Sequence, residues 1–154
     1  MELSYKDALT GIGNRFAMTN YIRQMDRKQS VAVVYCDVTG LKQVNDTQGH
    51  EAGDTLIRNA CESLKQVFDG YGLFRIGGDE LMVICPNITH DIADDRVAQL
   101  KETIKDYSVN LAVGMVWLEE MGVSLERSVM EAEKRMYEDK AEYYKTSGIE
   151  RRKI

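Results

Sequence analysis

Proline is nearly missing from this sequence. Pro86 is the only one, and it closes an apolar run, where a strand is expected to end. Cysteine is scarce as well. Cys36, Cys61 and Cys85 all sit in apolar surroundings, form no C-x-x-C, and are odd in number. That excludes a disulfide framework and predicts free buried thiols in a reducing cytoplasm. No continuous apolar run is much longer than Val31–Cys36, far too short to cross a membrane, and no segment has the pattern of a signal peptide. Positive charge is in deficit, with 20 Lys and Arg against 25 Asp and Glu and a net charge of −5. This argues against a general nucleic-acid or anionic-membrane surface. The one basic cluster, Arg151-Arg152-Lys153, reads as a solvated tail. An acidic protein can still take a nucleotide if a divalent cation neutralises the phosphates.

What is present reads as an ordinary globular chain, 44% apolar and 29% charged, long enough for one domain with one core. No linker, repeat or low-complexity segment divides residues 1–154. Met18, Tyr21, Ile22 and Met25 have helical spacing behind a cap at Asn14. Val31–Cys36 is β-rich and apolar on both faces, as in a central strand. A helix is predicted over 51–67, with Ala52, Leu56, Ala60, Leu64 and Val67 on one face. Strands follow near 72–76 and 80–85. Ile92, Val97, Leu100 and Ile104 mark another helix. Val109, Leu111, Val113, Met115 and Trp117 alternate as in a half-buried strand. Leu125, Val129, Ala132 and Met136 stripe a last helix that Ser124 can cap. The order α-β-α-β-β-α-β-α predicts an α+β fold: a ferredoxin-like or palm-type, mixed but largely antiparallel sheet flanked by helices.

The chemistry concentrates at two places. Between the paired strands stands Arg75-Ile76-Gly77-Gly78-Asp79-Glu80-Leu81. A Gly-Gly pair there signals a tight hairpin. Gly77 and Gly78 can take positive φ and leave a phosphate uncrowded. Asp79 and Glu80 are expected on the returning strand, where neighbours point to opposite faces. The second place is the end of the first strand, Asp37, followed by Val38-Thr39-Gly40-Leu41-Lys42. If strand and hairpin lie side by side, Asp37 and Asp79 converge at one sheet end. Carboxylates with a backbone carbonyl suit Mg²⁺ and its phosphate ligands, and Lys42 would meet a terminal phosphate as a point charge. By itself, an Asp at a strand end is usually a turn former.

Asn45 to Asp54 reads as a polar loop running into a helix. Guanine offers an N1–H and an amino group on one edge, which a carboxylate accepts together, so Asp54 is a candidate guanine reader with Asn45 beside it. Turn chemistry and early-helix charge account for the same residues without a ligand. His50 reads as a structural hydrogen-bonder and His90 as a surface residue before a helix. The sequence has no G-x-x-x-x-G-K-[ST], no H-E-x-x-H and no EF-hand pattern from Asp37.

Four blocks in order resemble the GGDEF domain family, the diguanylate cyclases. They are Asp7-Ala8-Leu9-Thr10-Gly11-Ile12-Gly13-Asn14-Arg15; Asp37 through Lys42, Asn45-Asp46, Gly49-His50 and Gly53-Asp54; Arg75–Leu81; and Ala132 through Met136-Tyr137 to Lys140. The resemblance implies condensation of two GTP into cyclic di-GMP with release of two pyrophosphates, by two copies of the domain facing each other. It implies that Asp37, Asp79 and the Val38 carbonyl hold Mg²⁺ or Mn²⁺, with up to two ions per half-site. Asp79 and Glu80 would be the catalytic acids, one of this hairpin serving as base toward the 3′-hydroxyl. Asn45 and Asp54 would read guanine, Lys42 and Lys140 would contact phosphates, and Gly77 and Gly78 would line the substrate. It further implies one cytoplasmic catalytic domain of a longer signalling protein that itself makes no contact with nucleic acid or membrane.

This sequence departs from the family pattern at named positions. Thr39 stands where a second Asp is common. Gly40-Leu41 replaces a polar or aromatic residue and Phe, and Leu81 replaces the last Phe of the signature. Tyr144 replaces a phosphate-binding Arg, for which Arg151 or Arg152 could substitute. Phe68-Asp69-Gly70-Tyr71 stands where an inhibitory R-x-x-D would be. Two other readings compete with an active cyclase: a degenerate module that binds GTP or regulates a partner without turnover, and a ferredoxin-like interaction domain without nucleotide.

Overall fold

The structure is a computed structural model that describes residues 4–123 and 125–147. Nine elements follow one another: α1 (Arg15–Arg23), β1 (Val31–Val38), α2 (Leu41–Gln48), α3 (His50–Val67), β2 (Gly72–Arg75), β3 (Glu80–Pro86), α4 (His90–Asp106), β4 (Leu111–Leu118) and α5 (Glu126–Ser147). The sheet has four strands in the order β2-β3-β1-β4, and each neighbouring pair is antiparallel. This is the expected α+β architecture. One short parallel bridge, Gly13 to Phe74, adds the segment before α1 to the β2 edge.

β1 is central and fully buried, as its unbroken apolar run requires. Ala32, Val34, Cys36 and Val38 face a core with Leu64 of α3 and Leu100 of α4. Val31, Val33 and Tyr35 face the other, with Met18 of α1 and Met136 of α5. Desolvation in these cores holds the thiols protonated; that of Cys85 is pushed up to about 12, and all three are free.

Several expectations need correcting. Asn45 and Asp46 are not in a loop but inside α2. Gly40 (φ 84°) starts that helix and Gly49 (φ 91°) joins it to α3, two left-handed positions that only glycine takes without cost. The alternating residues of β4 do face the α4 side, but the other face is covered too. At Gly114 an added Cβ would meet the backbone of α5 at Ala132, Arg135 and Met136, so the helix lies directly on the strand. Val109 precedes β4. Ile92 is exposed, and Ala93 takes the core position in α4. Met25 follows the end of α1, which Asn14 caps by accepting the Ala17 N–H at 2.8 Å. His90 is the first residue of α4, its ring stacked on Trp117. Ser124 lies outside the described residues, as do Arg151 and Arg152.

The α5 helix also closes the outer edge of β4. Asp139 accepts the Val113 N–H at 2.8 Å, and Arg135 donates to the Met115 carbonyl at 2.7 Å. Side chains thus occupy edge groups that would otherwise invite another strand.

Candidate active site

Strand register brings the carboxylates together. Asp37 on β1 pairs directly with Glu80 on β3, and strand alternation puts both on the α5 face. Asp79 is not on the returning strand. It lies in the turn, one residue before β3 begins, and its carbonyl accepts the Val38 N–H at 2.8 Å. The two acids therefore do not oppose each other across a strand, and both act electrostatically on Asp37.

Asp37 is 4% exposed. Burial, and next the charge of Asp79, push its carboxyl up to about 6, while Lys140 pulls the other way. Lys140, reaching in from α5, stands 3.3 Å from Asp37 Oδ1. That oxygen is buried and accepts no hydrogen bond in the described structure. The contact is an ion pair at this separation rather than an aligned hydrogen bond.

Tyr35 and Glu133 complete the cluster, and the sequence analysis missed both. The Tyr35 hydroxyl donates to Glu133 Oε2 at 3.2 Å. Burial, then Glu80 and Glu133, hold the phenol well above its ordinary pKa. A polar tip inside an apolar run, two residues before Asp37 and so on its face, was the signal available. Tyr137 of α5 is half-exposed nearby; burial, then Glu133, Glu80 and Asp37, raise its pKa.

The hairpin is held from outside. Arg75 donates to the Gly78 carbonyl at 2.7 Å and pairs with Asp7 at 3.3 Å. Asp7 in turn accepts from the Thr10 N–H and hydroxyl. Arg15 donates to the Ile76 carbonyl at 3.4 Å. Neither Gly77 nor Gly78 takes positive φ, contrary to expectation. Gly77 serves space instead: a Cβ there would sit 2.8 Å from Glu80 Oε1, whereas Gly78 is open.

The guanine candidates form a second group. Asn45 of α2 packs its side chain on Gly53 of α3, where any Cβ would overlap it. Asp54, the next residue, and Asn45 are both half-buried, and Lys42 is exposed on the first turn of α2. Lys140, not Lys42, is thus the cation set on Asp37. Among the described residues no group of three His, Cys, Asp or Glu is arranged for a metal ion. Thr39, buried and donating its N–H to the Asn110 carbonyl, supplies no further carboxylate.

The family profile described as diguanylate cyclase, GGDEF domain, matches residues 4–145. The chain belongs to the GGDEF domain family. An uncharacterized membrane protein of Staphylococcus aureus (strain USA300) is 33% identical over 105 residues, 64% of this chain and 28% of its own length. The match thus spans just over a quarter of the length of such curated relatives. Among solved structures, the GGDEF domain of DgcB from Caulobacter crescentus, in complex with c-di-GMP, superposes with a TM-score of 0.78 at 22% identity, covering 92% of each chain. The FimX GGDEF domain from Pseudomonas aeruginosa gives 0.80 at 15% identity, covering 89% of this chain and 94% of that one. Diguanylate cyclase SiaD, in complex with its activator SiaC from Pseudomonas aeruginosa, gives 0.79 at 23%, covering 90% and 59%. At these identities the likeness is one of fold.

Proposed function

We propose that this domain is an active diguanylate cyclase, which joins two GTP into cyclic di-GMP and releases two pyrophosphates. The observation that carries the reading is the convergence of Asp37, Asp79, Glu80 and Lys140 at one sheet end in a chain of this family. Two domains face each other, each with one GTP, and each 3′-hydroxyl attacks the other's α-phosphate. Such a transfer depends on in-line placement and charge neutralisation.

The residues fit a divalent cation in kind. Asp37 Oδ1 is a buried oxygen without a hydrogen bond, and Asp79 stands close enough to raise the proton affinity of Asp37. Asp37, Asp79 and the Val38 carbonyl would hold Mg²⁺ or Mn²⁺. The bound cation would neutralise phosphate charge. Glu80 accepts the proton of the 3′-hydroxyl. Lys140 and Lys42 attract phosphate oxygens, Gly77 and Gly78 leave them room, and Asn45 and Asp54 read the guanine edge. Asp54 gives base selectivity because adenine puts an acceptor where guanine has N1–H. The substrate GTP and the three free buried thiols suit a cytoplasmic setting for the reaction. The domain works as the output module of a longer signalling protein. Among the described residues no helix is long and apolar enough to cross a membrane.

One observation favours a second reading, GTP binding without turnover: with Thr39 in place of an acid and Glu80 kept for the proton, only Asp37 and Asp79 are left as carboxylates for a cation, where a further acid would hold a second ion more firmly. Incubation with GTP and Mg²⁺ followed by chromatography separates the two. Cyclic di-GMP formation, with specific activity rising over a hundredfold increase in protein, supports the cyclase. Bound GTP without product selects the second reading. Comparable binding of ATP and GTP overturns the Asp54 assignment.

A further inference from the structure

The apolar seat of α5 ends before the helix does. Val129, Ala132 and Met136 pack its first half on the sheet. Beyond Met136 no described residue of the helix is buried, and none belongs to either apolar core. Yet Lys140 stands one turn further on, 3.3 Å from Asp37 Oδ1. A long, flexible lysine keeps one position only if the backbone that carries it is held.

Polar side chains take over where the apolar stripe stops. Arg135, Asp139 and Tyr143 are four residues apart and so share one face of α5. Arg135 donates to the Met115 carbonyl at 2.7 Å, Asp139 Oδ2 accepts the Val113 N–H at 2.8 Å, and the Tyr143 hydroxyl accepts from Asn110 Nδ2 at 3.2 Å. Four helical residues advance about 6 Å and two strand residues about 7 Å, so the stripe keeps step with the β4 edge. Asp139 and Tyr143 bracket Lys140. Val113 lies opposite Cys36 and Ala112 opposite Asp37, so Asp139 is anchored beside the strand position that pairs with Asp37. The Asn110 carbonyl accepts the Thr39 N–H at 3.0 Å, which ties the Tyr143 anchor to the segment after β1.

The geometry points to Asp139 and Tyr143 as positioning residues that seat the last turns of α5 and so hold Lys140 over the phosphate site. This rests on the cyclase reading, in which Lys140 contacts a phosphate of GTP. Both residues act through Lys140. The role of Asp139 lies in its oxygen rather than its charge. Its ion pair with Lys101, at 3.6 Å, is largely exposed and such pairs contribute little, whereas the hydrogen bond to Val113 is short and joins helix to strand.

Two measurements on the whole domain test it. The first is amide hydrogen exchange without ligand. Asp139→Ala speeds exchange of the α5 amides after Met136 by about tenfold or more, the scale of one hydrogen bond to a charged group, and leaves the earlier turns as in the parent. Alanine is the best helix former, so the loosening cannot come from intrinsic preference. Asp139→Asn, which can still accept the Val113 N–H, restores the parent pattern, and Tyr143→Phe acts in the same sense as Asp139→Ala but by less. Exchange that is unchanged, or faster along the whole helix, overturns the seating. The second is calorimetry with Mg²⁺ and 3′-deoxy-GTP, which lacks the hydroxyl that would react. Asp139→Ala weakens binding by about tenfold, Asp139→Asn recovers it, and in a Lys140→Met background Asp139→Ala adds no further loss. An equal loss in both backgrounds, or none in either, overturns the positioning role. A parent domain that binds no triphosphate overturns the cyclase reading instead, and the exchange pattern alone then decides the seating.

Discussion

Lys140 Nζ stands 3.3 Å from Asp37 Oδ1, joining the last helix to the end of the central strand across residues far apart in sequence. The pair does not make Asp37 a comfortable anion. Burial and the neighbouring Asp79 outweigh the lysine, and the carboxyl is pushed up to about 6 from an ordinary 3.8. The sign of the consequence is fixed. Below the unfolded value both states are protonated and Asp37 costs nothing. As pH rises through the folded value, the native state must carry a charge that it disfavours. The metal-free domain therefore loses stability between about pH 4 and pH 6, on the order of 2–3 kcal/mol from this group. Asp37→Asn removes that loss and melts higher than the parent at pH 7, while cyclic di-GMP formation stops. Thermal melts of both proteins across pH 4–7 check the first half, and a Mg²⁺-GTP turnover assay the second.

Gly77→Ala separates chemistry from stability. The added Cβ would lie 2.8 Å from Glu80 Oε1, the far end of a flexible side chain. Glu80 moves aside, the hairpin backbone stays, and the melting temperature changes little. Turnover falls by about a hundredfold, the cost of moving a reacting group by roughly an ångström. Melting and kcat measured on the same preparation decide it, and a large drop in stability would contradict the account.

Gly114→Ala is the opposite case. Its Cβ meets the backbone of α5 at Ala132, Arg135 and Met136, and backbone cannot swing away. The helix must lift off β4, which costs about 3 kcal/mol or more, at the upper end for overpacking. The same displacement draws Lys140 from Asp37 and Glu133 from Tyr35. Urea unfolding should show the loss, and a mutant as stable as the parent would mean that α5 is not seated on the strand as described.

Product binding to the segment before β2 is not expected. Phe68 is 1% exposed and part of the core, so it presents no cation to phosphate or guanine, and Tyr71 supplies no carboxylate. Calorimetry with cyclic di-GMP should therefore find no tight site that substitution of Asp69 or Tyr71 removes. A tight complex mapped to residues 68–71 would overturn this.

The sequence by itself determined the strands, the hairpin and most of the helices, because hydrophobic period is set by which side chains need burial, and that is written locally. It also marked Asp37, Asp79, Glu80, Asn45, Asp54 and Lys140 as chemically notable. It failed where local signals ran against packing. Leu41–Gln48 carries too little apolar residue to show a helical stripe, and its helix packs on the next one, with Asn45 seated on Gly53. Register, which only long-range pairing sets, made Glu80 rather than Asp79 the partner of Asp37. Tertiary structure alone chose Lys140 over Lys42 for that carboxylate and set Tyr35 against Glu133. Each of those contacts depends on α5 lying on the sheet at Gly114, a close approach between backbones that no periodicity in the chain records.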